Sequence, residues 1–324
     1  MRVSVPTIPH VVTAKSASTI SPAAAVERIA NFLASGNVTL LTGAGVSVDS
    51  GIKAYRGKDG RYMNPNYKCV AYFKGFNITQ SYRMKADLCT LRSYLGYPPV
   101  RDAQPNTTHY AFAALQYSGH ISRLVTQNVD GLHYKAIKHL WDQRRIEERI
   151  LELHGTLHRV HCKHGHITSR DAFQERLSVS NPQWKAYVDG LEATGQKPRT
   201  NPDGDVELEG VSYDDFVIPD CPDCMSEGRH NSNQKPEVIF FGESIPQTTR
   251  ERSYSDIEQS DKLFLVGTTL ATFSAYRLIK HAVEIGKPVL LLNLGPTRAD
   301  GLPGVEKIEI HTSRVMRDVV RAIL

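Results

Sequence analysis

Cysteine is scarce and odd in number: five residues, Cys69, Cys89, Cys162, Cys221 and Cys224, in a chain of 324. With no secretory signal ahead of them, no disulfide framework is expected, and a reducing compartment is. The chain also lacks any apolar run of the roughly 18 to 20 residues that a membrane span needs. Its longest patches, such as Pro288-Val-Leu-Leu-Leu292, read as buried strands. No run of five like charges occurs, and 39 basic against 34 acidic residues give only +5, without the clustered basic face that nucleic-acid binding requires. Neither membrane nor nucleic acid is an expected partner, and a soluble monomer is the expected state. Acidic residues are missing altogether from Met1 to Val26, where Arg2, Lys15 and a Ser/Thr-rich run give the composition of a mitochondrial transit peptide. Residues 1–20 are therefore expected to be a targeting or disordered segment, with the mitochondrial matrix as compartment and cytoplasm or nucleus as the alternatives.

What is present is a 40% hydrophobic composition, ample for a packed core. Order is expected from Ser21, an N-cap for a helix with Pro22 at its first position, apolar residues at Val26, Ile29 and Leu33, and Gly36 at its end. Strand signals follow at Val38 to Thr42, Ile121 to Thr126, Val238 to Phe241, Leu263 to Val266 and Val289 to Asn293, with a helical pattern over Ala271 to Ile285. Alternation of this kind predicts an α/β fold, a doubly wound parallel sheet of the Rossmann-like type. Two stretches break the rhythm. Tyr55 to Pro99 reads as long loops and short helices over a site, and Cys162 to Cys224 as a small insert. The expected division is a Rossmann-like domain of residues 21–156 and 236–324, carrying the 55–99 segment, and an insert of residues 157–235.

Three segments carry chemistry. Gly43-Ala-Gly-Val-Ser-Val-Asp-Ser-Gly51 follows a strand, and its glycines let backbone N–H groups approach a pyrophosphate. The dehydrogenase fingerprint is incomplete, because Val48 stands at its third glycine and no acidic residue closes a second strand about 20 residues on; an ordinary tight turn is the alternative. Thr126-Gln-Asn-Val-Asp-Gly-Leu-His133 places polar side chains past the carboxyl end of a strand, where open α/β sheets bind ligands, or else caps a helix with Asn128 or Asp130. Leu151-Glu-Leu-His-Gly-Thr156 offers His154, a general base or a structural histidine.

Together, in this order, these segments resemble the sirtuin family. The resemblance runs from about Ala24 to the C-terminus and includes Gly43-Ala-Gly-Val-Ser47, Thr126-Gln-Asn-Val-Asp130, Leu153-His-Gly155, Lys235-Pro-Glu-Val-Ile-Phe-Phe-Gly242 and Gly267-Thr-Thr269. Gly57, Tyr97-Pro98, Asn181-Pro182 with Trp184, and Asn293-Leu-Gly-Pro-Thr-Arg-Ala-Asp300 resemble its class II branch, the mitochondrial sirtuin four type. The family implies NAD-dependent removal of acyl groups from protein lysines, with free lysine, nicotinamide and acyl-ADP-ribose as products. It assigns His154 as the base that activates a ribose hydroxyl, Asn128 and Asp130 to the nicotinamide pocket, Gln127 to the nicotinamide ribose, and Val129 to the same cofactor-binding segment. Gly43, Ala44, Gly45, Ser47, Tyr55 and Arg56 are implied around the phosphates, and Gly267, Thr268, Thr269, Asn293, Leu294, Gly295 and Val315 around the adenosine half. Val238, Ile239, Phe240, Phe241 and Gly242 are implied as the strand beside which an acyl-lysine peptide adds.

The family also implies a structural zinc held by two Cys-x-x-Cys pairs. Cys221-Pro-Asp-Cys224 is such a pair, but Cys162-Lys-His-Gly165 has glycine where the second cysteine belongs. A site of Cys162, His166, Cys221 and Cys224 is expected, with His164 as the alternative fourth ligand and absence of zinc as the other outcome. Gly51-Ile-Lys-Ala-Tyr-Arg56 also departs from the family, Lys53 and Ala54 replacing a proline and an aspartate. Protein mono-ADP-ribosyl transfer and an NAD-binding sensor with little turnover are the rival functions. The tyrosine–arginine pair of acidic-acyl sirtuins is not matched by Tyr82-Arg83-Met84-Lys85.

Overall fold

The structure is a computed structural model that describes residues 20–54, 80–195, 215–230, 233–240 and 243–324, with residues 80–89 placed by their backbone alone. The first helix, α1 (Pro22–Ala34), begins as its sequence dictates: the Ser21 hydroxyl accepts from the Ala24 N–H, and Pro22 has no N–H to leave unsatisfied. Nine strands lie among the described residues: β1 (Val38–Thr42), β2 (Ile121–Thr126), β3 (Ile150–Glu152), β4 (Gly155–Cys162), β5 (Ile167–Ser169), β6 (Gln234–Val238), β7 (Lys262–Val266), β8 (Val289–Leu292) and β9 (Val305–Ile308). Six of them form one sheet in the order β3-β2-β1-β7-β8-β9, parallel at every pairing.

Both faces of this sheet are buried, and the pleat alternates between two cores. Leu40, Leu124, Phe264 and Leu290 face one core, shared with α1, α3 (Thr107–Tyr117), α4 (Leu132–Ile137) and, at the C-terminus, the helix Met316–Ile323. Their immediate successors Leu41, Val125, Leu265 and Leu291 face the other, against the helices Gln247–Glu258 and Phe273–Glu284. Each fully buried leucine or phenylalanine contributes about 2 kcal/mol. The doubly wound α/β architecture follows from this pattern. Connections leave β1 towards β2 and β7 towards β8, so the crevice where the winding reverses lies between β1 and β7. Among the described residues no helix is long and apolar enough to cross a membrane.

The remaining strands form a small antiparallel sheet, β5-β4-β6. This corrects the expected strand over Val238 to Phe241. The strand runs over Gln234–Val238, pairs with β4, and belongs to the small lobe rather than the parallel sheet. Its buried positions are Gln234, Pro236 and Val238, and an amide and a proline at two of the three hid it from a strand reading.

A second correction concerns the stretch read as loops and short helices up to Pro99. From Gln80 it is one 23-residue helix, α2 (Gln80–Asp102), which carries Pro98 and Pro99 in its last turns. Its Leu91, Tyr94 and Leu95 pack into the small lobe against Val160, Phe173, Leu177, Trp184 and Phe216. Within that core are the helices Arg170–Ser180 and Pro182–Ala193, which Asn181 joins by bonding Leu177 O and Val217 O through Nδ2, each at 2.8 Å.

Candidate active site and metal centre

The register of the parallel sheet brings distant motifs into one row. Thr42 lies opposite Thr126 and Val266, Thr126 opposite Glu152, and Val266 opposite Leu292. The next residues, Gly43, Gln127, Leu153, Gly267 and Asn293, therefore stand side by side at the carboxyl ends of their strands. Backbone bonds continue the ladder one step further, from Gln127 N to Thr42 O, Leu153 N to Thr126 O, Gly43 N to Val266 O and Gly267 N to Leu292 O.

The glycines of the first motif have a packing reason to be glycine. A Cβ on Gly43 would meet Thr268 Cβ at 2.8 Å, and one on Gly45 would meet Gly267 O at 2.8 Å. Gly267, at φ +62°, would in turn drive a Cβ to 2.7 Å from Val46 N. Two loops thus meet backbone to backbone at the crevice, leaving a wall without side chains of the kind a pyrophosphate can approach. Ala44 and Ser47 lie on the 3-10 helix Ala44–Ser50 that leaves this turn.

Ser47 is the hub of a buried polar floor. The Asn106 backbone N–H donates to His109 Nδ1 at 3.3 Å, so the ring proton sits on Nε2, 3.4 Å from Ser47 Oγ. Asn128 Nδ2 donates to the same hydroxyl at 3.1 Å, and Ser47 donates to Asp130 Oδ2 at 2.7 Å. The other Asp130 oxygen accepts from Leu132 N at 2.9 Å. Burial pushes the Asp130 carboxyl up, opposed by the Leu132 and Ser47 bonds, and holds His109 neutral, down to about 4. Beneath lies His133, 4.8 Å from His109 ring to ring, its Nε2 2.9 Å from Thr42 Oγ1, which donates to Thr126 Oγ1. Val129 turns away into an apolar cluster with Ile52, Leu157 and Val238.

Gln127 reaches across the crevice, with Nε2 on Thr268 Oγ1 at 2.8 Å and on Thr42 O at 3.2 Å. Its backbone carbonyl lies 3.1 Å from His154 Nδ1. A carbonyl only accepts, so Nδ1 carries the proton and the lone pair of His154 is on Nε2, 2.8 Å from Ser274 Oγ. Burial lowers His154 to about 4, with the Gln127 carbonyl opposing, so at neutral pH it is wholly in its base form.

The adenosine-side residues are placed less evenly. Thr268 and Asn293 are buried at the row, Asn293 Nδ2 bonding Leu294 O and Gly295 O at 3.1 and 3.2 Å, while Thr269 O accepts from Arg298 N. Leu294 is exposed, and Gly295 is pinned by Glu309 Oε1 at 2.7 Å. Val315 has no exposed surface and packs in the core beneath, so its side chain lines no open space. Tyr55, Arg56, Phe241 and Gly242 lie outside the described residues.

On the peptide side, Val238 ends β6 opposite Gly155, and Ile239 N donates to His154 O at 2.9 Å. Phe240 follows, its N–H on Glu243 Oε2 at 2.9 Å. With β4 on one side, β6 has no strand on its other edge among the described residues, as strand addition requires.

In the small lobe, Cys162, His166, Cys221 and Cys224 place their ligand atoms within 4.8 Å of one another. His166 Nδ1 is 3.6, 3.7 and 3.3 Å from the three sulfurs, and Cys162 Sγ is 3.6 Å from Cys224 Sγ. A tetrahedron with Zn–S about 2.3 Å and Zn–N about 2.05 Å has edges of about 3.8 and 3.5 Å, so the donor set fits zinc. Burial raises the Cys162 thiol, but the backbone N–H groups of His164 and His166 and the neighbouring thiols outweigh it and bring it to about 7. His166 Nε2 meets Glu227 Oε1 at 3.2 Å, the orienting carboxylate expected behind a ligating imidazole. Gly165, at φ +88°, turns the β4–β5 hairpin in a conformation that disfavours cysteine, which moves the fourth ligand one residue on to His166 rather than to His164.

The motifs did not single out His109, Thr272 or Ser274. For His109 a signal existed, the Asn106-x-x-His109 capping box, in which the Asn106 side chain accepts from Thr108 N and His109 N. For Thr272 and Ser274 there was none, since only the fold sets them against Gln127 and His154.

The description "Sir2 family" matches this chain over residues 43–274. Among relatives, the NAD-dependent protein deacylase SIR4 of Batrachochytrium dendrobatidis is 41% identical over 294 residues, covering 89% of this chain and 90% of its own. The NAD-dependent protein deacetylase of Bordetella bronchiseptica is 35% identical over 282 residues, covering 87% and 92%. A solved structure of Sir2 with a p53 peptide and NAD+ superposes with a TM-score of 0.62 at 22% identity, covering 91% of this chain and 97% of that one. With the row of strand ends, the neutral histidine and the metal cluster already in place, these matches establish that the chain belongs to the Sir2 family of proteins.

Proposed function

We infer that this protein is an NAD-dependent protein-lysine deacylase, moving an acyl group from lysine to ADP-ribose and releasing nicotinamide. The observation that carries this reading is His154. It is a neutral imidazole whose lone-pair nitrogen is defined by a carbonyl on the other side, set between the sheet's crevice and the open edge of β6. The names of the relatives, deacylase and deacetylase, support the same reaction.

NAD, as co-substrate, supplies the ribose carbon that receives the acyl oxygen when nicotinamide leaves. Gly43, Ala44, Gly45, Gly267 and Thr268 would hold its phosphates and Asn293 its adenosine end. The floor of Asn128, Ser47 and Asp130 is fixed by its own hydrogen bonds before any ligand arrives, so little reorganisation is needed under the nicotinamide. Gln127 holds the row and the base together through side chain and carbonyl. An acyl-lysine peptide adds along β6, gaining main-chain hydrogen bonds with little demand on its sequence. Cys162, His166, Cys221 and Cys224 would hold a structural zinc that ties the β4–β5 hairpin to the helix Pro222–Ser226.

The class II branch and the mitochondrial matrix belong to the same proposal, supported by the Asn293 to Asp300 motif and by the acid-free first 26 residues. The test is a panel of acetyl, fatty-acyl, lipoyl and acidic-acyl peptides incubated with NAD and read by mass spectrometry. Loss of one acyl class is expected, whereas addition of ADP-ribose mass to the peptides would assign the protein as a transferase.

A further inference from the structure

Both nitrogens of the His154 ring are engaged. Nδ1 donates to Gln127 O at 3.1 Å, and Nε2 accepts from Ser274 Oγ at 2.8 Å, so no lone pair is left free for a substrate hydroxyl. Ser274, in the first turn of the helix Phe273–Glu284, keeps part of its surface open. An incoming hydroxyl that donates to Ser274 Oγ leaves the bond to His154 intact, whereas one that donates to Nε2 must break it.

The start of this helix carries an independent sign of the same arrangement. Thr272 is the N-cap, a position where threonine normally accepts from its own helix, yet its side chain makes no capping bond. Its hydroxyl instead donates to Gln127 Oε1 at 3.3 Å. Thr272 and Ser274 thus grip the Gln127–His154 pair from both sides, closing a ring of hydrogen bonds from helix to strand end to base and back. Among the described residues no ionised side chain acts on His154, so hydrogen bonds alone aim it.

We propose that Ser274 is a catalytic residue that relays the proton from the ribose hydroxyl to His154. The ribose O–H bond breaks and its proton forms a new O–H bond at Ser274 Oγ. The original Ser274 O–H bond breaks and its proton forms an N–H bond at His154 Nε2. The electron pair stays on the ribose oxygen, serine ends as it began, and the imidazolium donates to Gln127 O and Ser274 Oγ. This step rests on the deacylase reading above.

The test compares wild type, Ser274→Ala and Ser274→Thr in single-turnover acyl loss from an acyl-lysine peptide with NAD, in mixtures of light and heavy water. Alanine is a good helix former, so the fold should be undisturbed, and melting temperature verifies that. The relay predicts that Ser274→Ala slows acyl loss roughly a hundredfold, since assisted proton transfer is generally worth about that or more. Heavy-water dependence should be curved in wild type, with two protons in flight, and linear in the variant, while Ser274→Thr restores rate and curvature. An unchanged or faster Ser274→Ala enzyme would show that the substrate displaces Ser274 and would overturn the relay. No acyl loss from the wild type would instead overturn the deacylase reading, and the histidine nitrogen resonances of wild type and Ser274→Ala would then decide the Ser274 contact by themselves.

Discussion

Gly155 follows the base directly in the chain where two strands meet most closely, and Gly155→Ala puts a magnitude on how the fold holds His154. A Cβ built there lies 1.9 Å from Glu237 O, in a backbone held at φ +77°. Relief to an ordinary C···O contact of about 3.3 Å requires roughly 1.4 Å of movement between β4 and β6. The left-handed conformation adds about 1–2 kcal/mol for a residue with a Cβ. His154 is the preceding residue, and its carbonyl bonds Ile239 N at 2.9 Å across the same gap, so the base must move with the strand. A displacement of about 1 Å at a reacting group costs on the order of a hundredfold in rate. Purified Gly155→Ala should therefore lose about 2 kcal/mol or more of stability in denaturant melts and about a hundredfold in single-turnover acyl loss. Gly195→Ala is the control, because φ is +67° there with nothing within 4 Å, so it carries the strain without the clash and should keep its rate. Wild-type stability and rate in Gly155→Ala would refute the close approach of β4 and β6.

Three further outcomes are expected. His166→Ala should weaken zinc binding by about a hundredfold, one ligand's share of the roughly 10–16 kcal/mol of a structural site, while His164→Ala keeps one zinc per chain by metal analysis. His109 has a folded value of about 4 against 6.5 unfolded, so as pH falls below 6.5 the unfolded chain takes up the proton first and stability is lost down to about 4. Glu152, raised by burial to about 7, works in the opposite sense, so the His109 contribution is read as a difference: the loss between pH 7 and 4.5 should shrink by up to ~3 kcal/mol in His109→Gln. His154→Tyr should abolish deacylation while leaving the melting temperature near that of wild type, and turnover at the wild-type rate would remove His154 from the mechanism.

What the sequence made legible follows from how local each signal is. The strands Val38–Thr42 and Ile121–Thr126 match their expected bounds because their buried positions are apolar or β-branched, all five in the first and Ile121, Leu124, Val125 and Thr126 in the second. Strand β6 did not, because an edge strand with buried Gln234 and Pro236 carries no such run. The helix through Pro98 and Pro99 was hidden by residues that normally end one, although Leu91, Tyr94 and Leu95 keep a helical spacing on the side buried in the small lobe. At the site, the glycine, Gln127 to Asp130 and His154 segments were readable because each lies at a strand end. Their interlocking was not, since the Gly43–Gly267 contact, the His109–Ser47–Asp130 chain and the Ser274–His154 bond join residues far apart in sequence.

The central claim is that NAD is consumed in acyl transfer from lysine, and one measurement bears on it directly. Wild-type protein is incubated with NAD, with and without an acylated lysine peptide of the class the panel selects, and nicotinamide and unacylated peptide are counted together. The account predicts one nicotinamide for each acyl group removed, and no nicotinamide above background when the peptide is missing. Nicotinamide release that continues without the peptide, or that leaves its acyl group in place, would contradict it.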